Sequence, residues 1–319
     1  MGLDSRWNLR IGRMTPGPRN LITDVPGVRV GHTTLTDGHV QTGVTAVVPA
    51  PGNLFRDKVM AACQVINGFG KSAGLVQVEE LGSLETPILL TNTLSVGTVL
   101  TALVRHMLEE NPDIGDTTGT VNGVVLECND GLINYIRALS VTEASAAEAL
   151  ASAAEEFAEG AVGAGRGMKC HEIKGGIGSA SRKFTLDGTE YTFGAQLLTN
   201  HALLRDLVVG GDRVGRRLAP EAPGEPDKGS VITILATDAP FSDRQLKRLC
   251  KHVQNGLALT GSLTSNGSGE IALPFTTANR IPHYPATDVL PFRMVHDDAL
   301  DEVFRAVAEV VEESVLSSM

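Results

Sequence analysis

Seven strand-like runs, several of them apolar without clean alternation, constrain the fold of this chain more than any other feature. They span Val28–His32, Thr42–Pro49, Pro87–Thr91, Thr120–Leu126, Glu190–Leu198, Ser230–Ala236 and Glu270–Thr276. Each has strand length, and in those without clean alternation the pattern predicts burial on both faces. Between them, helical spacing predicts helices over Ser95–Glu110, Thr142–Ala158, Ser242–Leu257 and Asp297–Ser314. The last carries Leu300, Val303, Phe304, Val307, Val310 and Val311 on one stripe, so it covers a sheet with one face. Thr142 offers an N-cap to the second helix, and the alanines behind it favour helix. Strands and helices mix without strict βαβ alternation. Stacked helix–sheet–sheet–helix layers fit that order better than a doubly wound parallel sheet.

With 319 residues the chain has ample core for one large domain or two small ones. Residues 1–19, with Pro16-Gly-Pro18, read as an arm, and residues 20–319 as a single domain. The Pro- and Gly-rich stretch Ala219–Gly229 cannot hold a strand ladder and reads as a surface loop within that domain. A net charge of −10 argues against nucleic acid as a partner. No stretch reaches the ~18 apolar residues of a membrane span, and the N-terminus has no apolar signal core, so a cytoplasmic protein is expected. Cys63, Cys128, Cys170 and Cys250 are widely spaced and read as reduced, buried thiols. The histidines show no paired spacing, so neither a metal nor another cofactor is expected. The glycines of Gly163-Ala-Gly-Arg-Gly167 follow a helix and lack the lysine of a phosphate loop; they read as a cleft wall.

Chemistry concentrates in Thr264-Ser-Asn-Gly-Ser-Gly-Glu270, directly before the last strand-like run. Glycines on both sides of Ser268 let the backbone bend until Oγ reaches the carbonyl carbon of Gly267. Attack there would give an ester, and its hydrolysis would free Ser268 as an N-terminus holding both a nucleophile and an amine of pKa ~8. A plain Asn-Gly turn before a strand is the competing reading of the same residues.

Several further blocks accompany that segment. They are Asn20-Leu-Ile-Thr-Asp-Val-Pro-Gly-Val-Arg-Val-Gly-His-Thr-Thr34, Thr42-Gly-Val-Thr-Ala-Val-Val-Pro49, Thr91-Asn-Thr-Leu-Ser-Val-Gly97, Glu159–Met168, Cys170–Arg182 and Ala236-Thr-Asp-Ala-Pro240. In this order the chain resembles the DmpA family, the L-aminopeptidase/D-Ala-esterase/amidases and β-peptidyl aminopeptidases, from about Asn20 to the C-terminus. The resemblance implies a four-layer αββα sandwich, similar in outline to N-terminal nucleophile hydrolases. It also implies cleavage at Gly267-Ser268 into an α chain of residues 1–267 and a β chain of residues 268–319. Ser268 is then the nucleophile, Asn200 an oxyanion donor, and Glu159 the anionic contact for the substrate's free ammonium. Asp130 and Asn134 match family positions with a cleft-lining or turn role, and a homo-oligomer, a tetramer, is implied.

Three positions depart from the family pattern. His171 stands where relatives carry a tyrosine that steadies the tetrahedral intermediate. Val311 replaces a hydroxyl residue on the last helix, although Glu313, implied to assist Ser268, is retained. Lys71 replaces an acid in Asn67-Gly-Phe-Gly-Lys71, which bears on substrate charge preference. The leading reading is a self-processing serine aminopeptidase acting on small peptides, amides or esters. The alternatives are a non-catalytic relative that keeps the fold for assembly or amine binding, and an acyltransferase like the ornithine acetyltransferases. A serine rather than a threonine at the cleavage point counts against the last.

Overall fold

The computed structural model describes Leu3 and residues 9–219 and 228–319. The strands are β1 (Arg29–Asp37), β2 (Val40–Val48), β3 (Asp57–Ala61), β4 (Gln64–Gly68), β5 (Ser83–Leu84), β6 (Ile88–Asn92) and β7 (Val124–Cys128). They continue with β8 (Lys169–Cys170), β9 (Ile173–Lys174), β10 (Gly176–Leu186), β11 (Thr189–Asn200), β12 (Ser230–Thr237) and β13 (Gly269–Pro282). The helices are α1 (Leu75–Leu81), α2 (Val96–Glu110), α3 (Glu143–Ala151), α4 (Gly215–Leu218), α5 (Asp243–Cys250), α6 (Val253–Leu259) and α7 (Asp301–Ser317).

Two sheets stack face to face. The smaller has the order β1-β2-β6-β7; the larger runs β10-β11-β12-β13-β3-β5, with β4 also on β13. Both are mixed, since β6–β7 and β12–β13 are parallel pairs and the rest antiparallel. Residues on neighbouring positions of one strand enter different cores. Ile88, Leu90, Val124 and Leu126 meet Leu198, Ile232, Ile234, Ile271, Leu273 and Phe275 between the sheets. Leu89 and Val125 pack outward against Val99 and Leu103 of α2 and Ala146 of α3. On the far side, Leu197, Val231, Leu235 and Ala272 pack under Leu246, Leu257, Val303 and Val310. Burial on both faces explains the unalternating runs. The layers are those of an αββα sandwich.

The seven expected strands are all present. Three other expectations need correction. The helix expected to reach Ala158 stops at Ala151, because the backbone of Ala154 pairs with Val30 on the edge of β1 instead. The Ser242–Leu257 helix breaks at Lys251–His252 into α5 and α6. The segment Gly176–Arg182 was not expected as a strand, yet it forms most of β10. Its small residues have a packing reason: a Cβ on Gly178 would lie 1.8 Å from the Ser314 carbonyl oxygen of α7. The expected Ala219–Gly229 loop falls mostly outside the described residues.

A buried ion cluster ties the first described segment to this edge. Arg182 is fully buried and donates to Glu309 at 2.9 Å, to Glu313 at 2.7 Å and to the Ile11 carbonyl at 2.8 Å. Glu309 also accepts from the amides of Arg13 and Met14, and Glu313 from the Asn20 side chain. Burial, then the neighbouring Glu309, raises the Glu312 carboxyl above its usual range. Among the described residues no helix is long and apolar enough to cross a membrane.

Burial holds two histidines neutral: His201 is lowered to about 3 by burial and then by His171, and His32 to about 4 by burial, opposed by its bond to the Ala158 carbonyl. Unfolding restores an ordinary affinity for protons, so the unfolded state binds more of them below about pH 6.5. Stability is therefore expected to fall as pH drops from about 6.5 to 5, with His201 alone costing about 2 kcal/mol at pH 5. Urea unfolding across that range checks this; His201→Gln should flatten the dependence by about one proton, and an unchanged slope would contradict the assignment.

Candidate active site

Ser268 sits immediately before β13, with no exposure to solvent. Its amide donates to the Ser265 carbonyl at 3.0 Å, closing a tight turn through Asn266 and Gly267. The Asn67 amide group clasps this turn, donating to the carbonyls of Ser265 and Asn266 at 3.1 Å and to that of Ser268. Phe69 N also donates to the Ser268 carbonyl, at 3.3 Å. Residues two apart on a strand share a face. Ser268 Oγ accordingly meets the carboxylate of Glu270, donating to Oε1 at 3.1 Å, while Thr264 donates to Oε2 at 2.5 Å. Gly269 N donates to Ser230 Oγ at 3.1 Å, which locks the start of β13 to the start of β12.

The opposing sheet supplies Glu127, on β7 and 3% exposed. Its carboxylate accepts from Lys71 N at 2.8 Å and from the Thr93 hydroxyl. The strap Phe69-Gly-Lys71 passes between this carboxylate and β13. A Cβ on Gly70 would stand 3.5 Å from Glu127 Oε1 and 3.9 Å from Gly269 Cα, ordinary contact distances that place the strap directly between the two groups. Lys71 Nζ lies 4.3 Å from the centre of the exposed Phe69 ring. Sequence reasoning missed Glu127. The available signal was a single acid inside the otherwise apolar Val124-Val-Leu-Glu-Cys128.

Asn200 ends β11 in the same row of the sheet, opposite Ser230, which is itself opposite Gly269. Two strand spacings separate it from Gly269, roughly 10 Å. Its Oδ1 accepts from Lys169 N at 2.8 Å, and Nδ2 donates to the Asn129 carbonyl at 2.9 Å. That geometry uses one of the two amide protons and fixes the plane of the group. Asp130 is buried one residue further on, accepting from Asn134 at 3.0 Å; burial raises its carboxyl, opposed by bonds from Thr42, Asn134 and Asn92. Asn134 in turn accepts from Gln41 N, so the pair braces the loop after β7.

His171 occupies the turn of the β8–β9 hairpin with a left-handed φ of 47°. Its amide donates to the His201 carbonyl at 2.8 Å, and Nδ1 lies 3.1 Å from the Leu203 carbonyl, which places the proton on Nδ1. The ring thus anchors the hairpin to the segment leaving Asn200. Cys170, beside it, is buried in the core with Sγ 4.0 Å from His201 Nδ1.

Two residues carried over from the resemblance lie elsewhere. Glu159 accepts from Ser179 N at 2.8 Å, beyond the outer edge of β10. The register runs from Ser179 through Gln196 and Ile234 to Leu273. Three strands and five residues separate that row from Ser268, roughly 20 Å. Glu313, implied to assist Ser268, is 3% exposed and committed to Arg182 on the same far side. Within one chain the structure brings neither carboxylate to Ser268. Val311 packs in the helix-side core.

The match to known proteins agrees with this architecture. The model of peptidase family S58 matches residues 20–319. A β-peptidyl aminopeptidase BapA of Sphingosinicella microcystinivorans is 37% identical over 325 residues, covering 94% of this chain and 81% of that protein. The PH0078 protein from Pyrococcus horikoshii OT3 superposes with a TM-score of 0.95 at 48% identity, covering 100% of this chain and 91% of the other. The L-aminopeptidase D-Ala-esterase/amidase from Ochrobactrum anthropi, described as a prototype serine aminopeptidase with a variant of the Ntn hydrolase fold, gives 0.90 at 34% identity, covering 96% and 87%. With its αββα layers and a serine at the head of the central strand β13, the chain belongs to peptidase family S58 and is a hydrolase of the aminopeptidase kind.

Proposed function

We propose that the chain cuts itself between Gly267 and Ser268, and that Ser268, freed as an N-terminus, is the nucleophile that removes N-terminal residues from small peptides, amides or esters. The observation that carries this reading is the position of Ser268. It is held at the head of β13 by a turn, with its hydroxyl already on a carboxylate. In the uncut chain its nitrogen is an amide and no base. Once freed, the α-amine has a pKa of ~8 and can take the Oγ proton as substrate is attacked. The fragment 268–319 would stay in place, because β13 pairs with β12, β3 and β4 in the middle of the larger sheet.

Each remaining group then has a task. Asn200, its plane fixed by Lys169 and Asn129, offers a neutral N–H to the oxyanion. Glu127 faces the strap beside Gly269 and is suited to the substrate's ammonium, the role that Glu159 is too distant to fill in one chain. His171 positions Asn200 by pinning the hairpin that holds it. The names of the relatives point to β-peptides as a substrate class. A cytoplasmic location suits four buried cysteines with no disulfide among the described residues, and a homo-oligomer is what the family resemblance implies.

Mass spectrometry of the purified protein should find a C-terminal fragment beginning at Ser268, and Ser268→Ala should remain whole and inactive; an uncut parent after long incubation, or a break elsewhere, would contradict the reading. Glu127→Gln keeps the shape and removes the charge. It should cost on the order of 1.5–3 kcal/mol, about tenfold to a hundredfold in kcat/KM for substrates with a free amine. If N-acetylated substrates turn over as fast as free ones, Glu127 does not read the ammonium.

A further inference from the structure

We propose that Glu270 is the base that starts self-cleavage, taking the proton from Ser268 Oγ as that oxygen attacks the carbonyl carbon of Gly267. The inference rests on the reading that the chain cuts itself at this bond, and it answers a gap in that reading. Before the cut there is no free α-amine, so the group that later serves as base does not yet exist. Something else must accept the first proton.

Glu270 is in place to do so. Its Oε1 lies 3.1 Å from Ser268 Oγ, within the reach required of a general base. Its Oε2 accepts from the Thr264 hydroxyl at 2.5 Å, which holds the carboxylate in one orientation. The side chain is fully buried at the head of β13, where water does not compete for the proton. Glu270 lies on β13 and Ser268 directly precedes that strand, in a turn closed by its own amide on the Ser265 carbonyl, so the start of the strand sets the pairing. Other candidates are committed elsewhere: Glu127 accepts from Lys71 N and Thr93 across the strap, and the Nδ1 proton of His171 is on the Leu203 carbonyl.

The step balances without a co-reactant other than water. Oγ bonds to the Gly267 carbon and its proton passes to Glu270. The tetrahedral carbon collapses by breaking its bond to Ser268 N, and the proton moves from Glu270 to that leaving nitrogen. This leaves Gly267 esterified to Ser268 Oγ and a free α-amine. Water then hydrolyses the ester, giving the Gly267 carboxylate and restoring the Ser268 hydroxyl, with Glu270 again a carboxylate. Glu270 thus acts once in the life of each chain, and the α-amine acts in every later turnover.

The test is a pulse-labelled full-length chain, followed by electrophoresis as the intact band converts to two fragments, with and without hydroxylamine. Ser268→Ala serves as the uncut reference, and a cooperative unfolding transition like that of the reference shows that each variant is folded. Glu270→Gln should mature about a hundredfold or more slowly, the usual scale of a lost general base. Glu270→Asp, which keeps the charge but withdraws it by one methylene, should fall between Gln and the parent. Hydroxylamine should speed the break in the parent by capturing the ester, and leave Glu270→Gln slow because little ester forms. If folded Glu270→Gln matures within a few-fold of the parent while Ser268→Ala stays whole, Glu270 is not the base and self-cleavage stands. If Glu270→Gln does not fold, Glu270→Asp decides, and a rate equal to the parent's overturns the proposal. A parent that never matures overturns the self-cleavage reading itself.

Discussion

Everything at this site depends on the fixed start of β13. Gly269 is bonded to Ser230 on one side and paired with Gly68 on the other, so the residue before it has no freedom to wander. Ser268 therefore leaves the sheet at a set point, where the turn Ser265–Ser268 is closed by its own amide and clasped by Asn67. A sheet register and one amide side chain hold Ser268 in place, with its hydroxyl on Glu270.

The two parallel pairs explain why other polar groups collect there. β12 and β13 begin together, while β6 and β7 end together at Asn92 and Cys128. Stacking the sheets brings those beginnings against those ends through the Phe69–Lys71 strap. Glu127, Thr93, Asn129 and Asp130 come from the ends; Ser268, Glu270 and Ser230 from the beginnings; Asn200 joins from the antiparallel β11. The Arg182 cluster lies at the opposite edge of the larger sheet and does separate work. Its arginine neutralises carboxylates that would otherwise be unpaired in the interior, and so holds residues 11–20 against β10 and α7.

The sequence announced the layers more clearly than the polar contacts. Runs such as Pro87–Thr91 and Ser230–Ala236 were legible because both faces of their strands are buried, and the whole residue string is then apolar. β10 was not, because its Gly-Ile-Gly-Ser-Ala-Ser segment is chosen for the close approach of α7 and carries little strand propensity. The break of α3 at Ala151 was hidden for another reason: the alanines that follow favour helix locally, and only the unpaired edge of β1 draws the backbone away. At the site, Ser268 stood out through its flanking glycines. Glu159 and Glu313 stood out only through resemblance, and their bonds to Ser179 N and Arg182 could not be read from spacing. Glu127 and Glu270 were legible only in three dimensions, since an acid in an apolar strand says that it has partners without saying which.

As proposed, residue 268 ends as a serine with a free α-amine, and this pair performs the chemistry. Periodate tests both at once, because it oxidises an N-terminal serine to a glyoxylyl group and leaves internal serines untouched. Mild periodate should change the mass of the 268–319 fragment alone, at its first residue, and peptidase activity should disappear in step with that change. A fragment whose first residue resists periodate, or full activity after its complete conversion, would contradict it.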